Sequence, residues 1–236
     1  MELMEIISDA LVYPFHNIKA LIIYLILGII LGIVWVGSMG AAAASAAASN
    51  LAAAMGSAII GFIVAVVISF AISGYQLDIV KYGIDRSFDA PGLDFVRQFF
   101  NGFKLTIVQL VYFIIPIIIS AILAIIFQHW LAMVIEFILF VIFGLAAIMA
   151  QCRLAKTEDM GHALAIGDAI GDLSRVGILK VLAFLVIIFL IAFLLFIIGG
   201  FLARWNSTGG GIFLGALGIY LVFFSARATG LLYSNV

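Results

Sequence analysis

Six continuous apolar stretches organise the chain, at about Ile18–Val36, Ala53–Ser73, Leu105–Phe127, Leu131–Ala150, Ile178–Ala203 and Gly210–Ala226. A bilayer core about 30 Å thick takes roughly 20 apolar residues per helical span, and these runs approach or reach that length. They are unbroken, not alternating in and out over about ten residues, so they predict helices and not barrel strands. The expected fold is therefore all-α: one transmembrane domain over residues 1–236, a polytopic integral membrane protein whose six transmembrane helices form three hairpins.

Between the hairpins the pattern changes to a helical period. Val96, Phe99, Phe100 and Phe103 recur at i, i+3, i+4 and i+7, with Asp94, Arg97, Gln98 and Asn101 on the other side. This predicts an interfacial amphipathic helix, with Pro91 suited to its first turn. In the 4–5 connection Ile166, Ile170 and Leu173 face one way and Asp168, Asp172 and Arg175 the other, after Thr157-Glu158-Asp159, an acidic helix start. Residues 1–12 show the same design, with Leu3, Ile7, Ala10 and Leu11 opposed to Glu2, Glu5 and Asp9. A short helix in the interface plane fits them, a frayed polar tail being the alternative. They lack the positive n-region of a signal peptide, so no cleaved leader is expected. Both long segments run into a Gly and Lys step, at Gly102–Lys104 and Gly177–Lys180, hinting at a threefold repeat of hairpin plus interfacial helix.

Small residues supply the expected packing faces. Ser57, Gly61, Ala65, Ser69 and Ser73 form an unbroken i+4 row in span 2. Such a row lets backbones approach where lipid offers no hydrophobic drive for association. Gly28 and Gly32 in span 1 and Gly211 and Gly215 in span 6 offer similar grooves, used either within one subunit or for self-association. Ala41–Ala54 is only weakly apolar and reads as a helical extension or a loop.

Composition agrees: 67% of residues are hydrophobic, 10% charged, and the mean hydropathy is +1.36, against roughly half and a quarter in globular proteins. Charge then orients the chain. Of eleven Lys and Arg residues, Lys19, Lys81, Arg86, Arg97, Lys104, Arg153, Lys156, Arg175, Lys180 and Arg227 fall on one side of the six spans, and Arg204 alone on the other. Lys and Arg in short loops stay in the cytoplasm, so both termini are expected there, with the Gln128-His129-Trp130 turn and Asn206 outside. The triplet Asn206-Ser207-Thr208 also falls on that outer side. The single cysteine, Cys152, excludes an intrachain disulfide and is expected to face the cytoplasm.

Several motifs together resemble a known family. They are Gly74-Tyr75, Pro91-Gly92-Leu93-Asp94-Phe95, Phe100-Asn101-Gly102-Phe103-Lys104 and Tyr112 with Pro116. Tyr13-Pro14-Phe15 precedes span 1, and Ala226-Arg227-Ala228-Thr229-Gly230-Leu231-Leu232-Tyr233 follows span 6. The set resembles domain of unknown function 4013, a family of archaeal membrane proteins, over nearly the whole chain. Pro91-Gly92-Leu93 departs from the family's usual Leu-Pro-Glu. The resemblance implies an archaeal origin and a multi-helix membrane fold, but no activity, so no functional residue is transferred.

Catalytic signatures are absent: there is no H-E-x-x-H, G-x-S-x-G or phosphate-binding G-x-x-x-x-G-K-[ST]. Asp168-x-x-x-Asp172 resembles half of a lipid-headgroup transferase metal site but lacks the second Asp pair, and reads as a solvated helix face. His162 reads as a surface residue and His129 as a turn residue. No catalytic, cofactor or metal site is expected, and nothing calls for nucleic acid. Glu136, inside span 4, and Ser120, at similar depth in span 3, form a candidate intramembrane polar site. The expected function is a non-catalytic membrane subunit or scaffold that assembles with lipid, with a second copy or with a membrane-complex partner. The alternative is a small-solute or ion transporter or channel using Glu136.

Overall fold

The computed structural model describes residues 2–126, 130–205 and 207–236, and at 36, 124, 203, 205 and 207–212 gives the helix without its side-chain surroundings. The predicted Gln128-His129 turn and Asn206 lie outside the described residues. The chain is all-α, with no strand among the described residues: α1 Leu3–His16, α2 Ile18–Ala47, α3 Leu51–Ile84, α4 Phe95–Ile126, α5 Trp130–Thr157, α6 Met160–Leu164, α7 Ile166–Val176, α8 Ile178–Trp205 and α9 Ser207–Tyr233. Six of these, α2 to α5, α8 and α9, are long and apolar enough to cross a membrane. The long helix α3 lies centrally against α2, α4, α5 and α9, while α4 also packs on α5 and α8 packs on α9.

The helices outrun the apolar stretches that announced them. Once a helix has formed, each further turn adds a hydrogen bond per residue fixed, so it continues through amphipathic sequence until a cap stops it. The predicted interfacial helix around residues 96–103 is accordingly not a separate element but the first turns of α4, which Asp94 caps by accepting from the Arg97 amide at 3.0 Å. Pro91 precedes that helix. The Ala-rich stretch is divided: α2 extends to Ala47 and α3 begins at Leu51, with the Asn50 side chain accepting from the Ala53 amide. At the N-terminus Glu2 and Glu5 form a reciprocal capping box, and α1 buries Ile6, Ile7, Ala10 and Tyr13 against the bundle, chiefly α9.

One reversal separates this bundle from a soluble one. Val96, Phe100 and Phe103 on the apolar face of α4 point outward, while Gln98 is fully buried and Gly102 sits against α3. The α7 segment behaves likewise: Ala169, Asp172 and Leu173 are buried and Ile170 is exposed, which corrects the face predicted from its period. Apolar side chains facing lipid cost nothing, whereas polar ones need partners inside the protein.

Candidate functional site

The polar side chains gather where α3, α5 and α9 end, together with α1, α7 and the start of α4. Three ion pairs there follow one rule: the end of each returning helix is tied to an amphipathic segment. On α3, Asp78 accepts two parallel hydrogen bonds from Arg97 at 2.9 Å each, and a third from the Gln98 amide at 3.2 Å. A forked guanidinium on a carboxylate is the strong geometry for such a pair. Gln98 also donates to the Gly92 carbonyl and accepts from the Tyr24 hydroxyl at 2.5 Å, and Tyr24 stacks on Tyr75 with ring centres 4.2 Å apart. Glycines make this possible. A Cβ at Gly74 would lie 1.7 Å from the Gln98 carbonyl oxygen, and one at Gly102 1.9 Å from that of Phe70.

On α5, Arg153 donates to Asp172 and to Asp168 at 2.9 Å each and to the His162 carbonyl at 2.8 Å. The Asp172 carboxylate, 3% exposed, also receives Arg175 and the Tyr233 hydroxyl at 2.6 Å. The expectation of a solvated Asp168 and Asp172 face therefore holds only for Asp168; Asp172 is buried because the Arg153 guanidinium repays its lost hydration. On α9, Arg227 is wholly buried, donates to Asp9 of α1 at 2.8 Å and to the Tyr82 and Ser87 carbonyls, and lies over the rings of Tyr13 and Phe88. Burial pushes the Tyr13 phenol above its usual value. Spans 2 and 4 thus pair with the segment that follows them, and span 6 pairs with the helix that opens the chain.

At the surface of this layer Lys81 meets the Glu158 carboxylate at 2.5 Å, and its hydrogen bond, then its charge, holds the Glu158 carboxyl below the usual range. His162 beside Asp159 lowers that carboxyl as well. His162 is exposed, as predicted. Cys152 is not at the surface: it is fully buried, with its thiol facing the Thr229 carbonyl at 3.8 Å. Among the described residues no group of three or more His, Cys, Asp or Glu converges.

The intramembrane candidates stay apart chemically. Glu136 and Ser120 are both half-buried, no hydrogen bond joins them, and the Ser120 hydroxyl has no partner. Of the packing residues, Gly61 is used most closely, since a Cβ there would lie 2.0 Å from the Ser38 Cβ of α2. Ala65 is buried, Ser69 and Ser73 are half-buried, and Ser57 turns back onto the Ala53 and Ala54 carbonyls of its own helix. Gly28 meets the Ile219 side chain of α9. Gly32 and Gly215 are not packed within the chain: both are exposed, and a Cβ at either would find nothing within 4 Å. Gly28, Gly32, Ala65 and Ser69 instead border an open apolar groove of about 540 Å³ between α2 and α3. The surroundings of Gly211 lie outside the described residues.

Sequence reasoning missed the glycines that matter most, Gly74, Gly102, Gly83 and Gly230. The last two bring α3 and α9 together, a Cβ on Gly230 falling 2.3 Å from the Val80 carbonyl oxygen. Three of the four stand in the very motifs that carry the family resemblance. A family model described as "Protein of unknown function (DUF4013)" matches residues 59–204, well over half of the chain. No curated protein and no solved structure matches the chain.

Proposed function

The chain belongs to the DUF4013 family, whose description names no activity, and on that premise we propose that it is a non-catalytic membrane subunit or scaffold that assembles with protein or lipid partners. One observation carries this reading. The buried Asp78 and Asp172 carboxylates and the buried Arg227 guanidinium are each engaged by an opposite charge, and the opposite halves of the spans turn apolar side chains outward, with no group of three or more His, Cys, Asp or Glu converging among the described residues. Enzymes and transporters keep ionisable groups available at a site; here they hold helices together. Purification in mild detergent tests the reading, with mass spectrometry of what accompanies the protein. A stoichiometric protein partner, a defined oligomer or retained lipid supports it. A bare monomer that retains neither speaks against it.

The same reading sets the polar end in the cytoplasm of a cell membrane, supported by the ten-to-one split of Lys and Arg. In a Cys152→Ser background, A48C in the turn after α2 should react with an impermeant thiol reagent on intact cells, and S174C on α7 should not. The opposite result inverts the orientation.

A second reading, transport, rests on Glu136, a half-buried carboxyl inside a span with no ion pair or hydrogen bond among the described residues. In liposomes, wild type and Glu136→Gln should then differ in proton or cation flux. Equal flux, or none from either, removes it.

A further inference from the structure

The polar ends of α3, α4 and α5 enclose a small pocket bordered by Asp78, Lys81, Asn101, Lys104 and Glu158. Asp78 is fully engaged by Arg97 and Gln98. The two lysines are differently placed: Lys81 of α3 reaches the Glu158 carboxylate at 2.5 Å, and Lys104 of α4 donates to the Glu158 carbonyl at 3.4 Å. Two ammonium groups from separate helices thus converge on one residue just beyond the end of α5. That residue has φ 56°, a left-handed conformation uncommon outside glycine. One turn deeper, on the α5 face that carries Leu154 and Ala155, the Gln151 amide nitrogen is buried without a partner. The room left beside the carboxylate is about 10 Å³, enough for one water.

We infer that this pocket binds the phosphate of an anionic membrane lipid, and that the Glu158 carboxylate occupies it when no lipid is bound. Two ammoniums against one carboxylate leave a positive excess, and a phosphate diester answers it with one negative charge and oxygens for both lysines and the Asn101 amide. The lysines stand where spans give way to connecting chain, the depth of headgroups, and basic pockets between transmembrane helices on that side are suited to anionic lipid. Glu158 is 59% exposed and lies just beyond α5, so it can swing outward, whereas Lys81 and Lys104 project from the packed helices α3 and α4. The small residual volume means that a phosphate enters only by displacing it. The inference deepens the lipid half of the reading above and fails separately from it, since equal retention of two lipids leaves lipid association standing and removes only this pocket.

Native mass spectrometry of the full chain in mild detergent, mixed with phosphatidylglycerol or phosphatidylcholine, tests it. Phosphatidylglycerol should be retained roughly tenfold better, about 1.4 kcal/mol. K81Q/K104Q should abolish the preference, E158Q should strengthen phosphatidylglycerol retention several-fold, and Lys156→Gln, away from the pocket, should change nothing. Equal retention of the two lipids by wild type, or an unchanged preference in K81Q/K104Q, overturns the proposal. Inorganic phosphate that protects the protein against heat without any preference for phosphatidylglycerol marks a free-anion pocket and overturns the lipid assignment. Should K81Q/K104Q fail to fold, E158Q decides alone, and unchanged retention there overturns the proposal.

Discussion

The two ends of this bundle are built by different rules. Along α3, Leu51–Ser73 buries little beyond Ala54, Gly61, Ala65 and Ala71, whereas Gly74, Tyr75, Leu77, Asp78, Ile79, Val80, Gly83 and Ile84 are all buried. In α5 the contrast repeats, with Ala132 buried near the start and then Leu145, Ala146, Ala147, Met149, Ala150, Gln151, Cys152, Leu154 and Ala155. The far halves of α4 and α8 show Ile117, Ile118, Ile122, Phe193, Phe196 and Phe201 to their surroundings. Where lipid is the solvent an outward Ile costs nothing, so nothing forces those halves together. Near the membrane surface buried carboxylates and backbone groups must find partners. Close backbone approach, ion pairing and the main apolar core therefore concentrate together at the polar end.

The sharpest way to break this contrast is to push the helices apart at the polar end. Gly102→Leu or Gly74→Leu sets a side chain on a backbone carbonyl less than 2 Å away, which neither helix can relieve without losing the Asp78, Arg97 and Gln98 network. A loss above about 4 kcal/mol, beyond the ordinary range of point substitutions, should appear as absent folded protein in detergent. Gly32→Ala at the open end meets nothing within 4 Å and should be neutral or gain up to about 1 kcal/mol from helix propensity. Comparable thermal stability for the two sites would refute the comparison.

Next in size are the buried pairs. Arg227→Met leaves Asp9 without its guanidinium and should cost about 3–5 kcal/mol, and it should free α1 for proteolysis within Leu3–His16. Asp9→Asn/Arg227→Met should cost less than the sum of the single changes, because the two groups share one interaction. A strictly additive cycle would mean that Arg227 matters for its hydrogen bonds to the Tyr82 and Ser87 carbonyls and its packing over Tyr13 and Phe88, and not for its pair with Asp9. Gly61→Leu supplies the intermediate case: it collides with Ser38 as closely, but α2 and α3 can part into lipid there, so about 1–3 kcal/mol is expected. An effect as large as that of Gly102→Leu would show that the open half is packed as firmly as the polar one.

How much of this could be read from the chain follows from the same division. The six spans were legible because lipid imposes a length and a composition that sequence displays directly. Their ends were not, since a helix such as α4 starts ten residues before its apolar run and the period alone does not tell which face turns inward. The rule that polar faces point outward failed for Gln98 and Asp172, because in a membrane protein the outside is apolar and the partner that permits burial, Tyr24 or Arg153, lies far away in sequence. The i+4 row in span 2 is used only in part within the chain: Gly61 and Ala65 pack, whereas Ser57 bonds back to its own helix and Ser69 borders an open groove. The isolated Gly74 and Gly102 gave no periodic signal. Only their place in family motifs pointed to them.

The smallest effect is expected at the rim of the polar end, where Lys81 and Glu158 are both substantially exposed. Exposed pairs contribute about 0.2–1 kcal/mol, so Glu158→Gln should lower thermal stability at pH 7 only slightly, while leaving the three buried pairs in place. The pH dependence has a definite sign. The Lys81 hydrogen bond holds the folded carboxyl below its usual value, so the unfolded chain takes up the proton first. The pair's contribution is then fully present above the ordinary carboxyl range, about pH 4.3, and is lost as pH falls through the depressed folded value. Wild type minus Glu158→Gln, followed by thermal unfolding between pH 7 and pH 3, should shrink toward zero over that window. A difference that keeps its full pH 7 size at pH 3 would show that the Glu158 charge contributes nothing to stability.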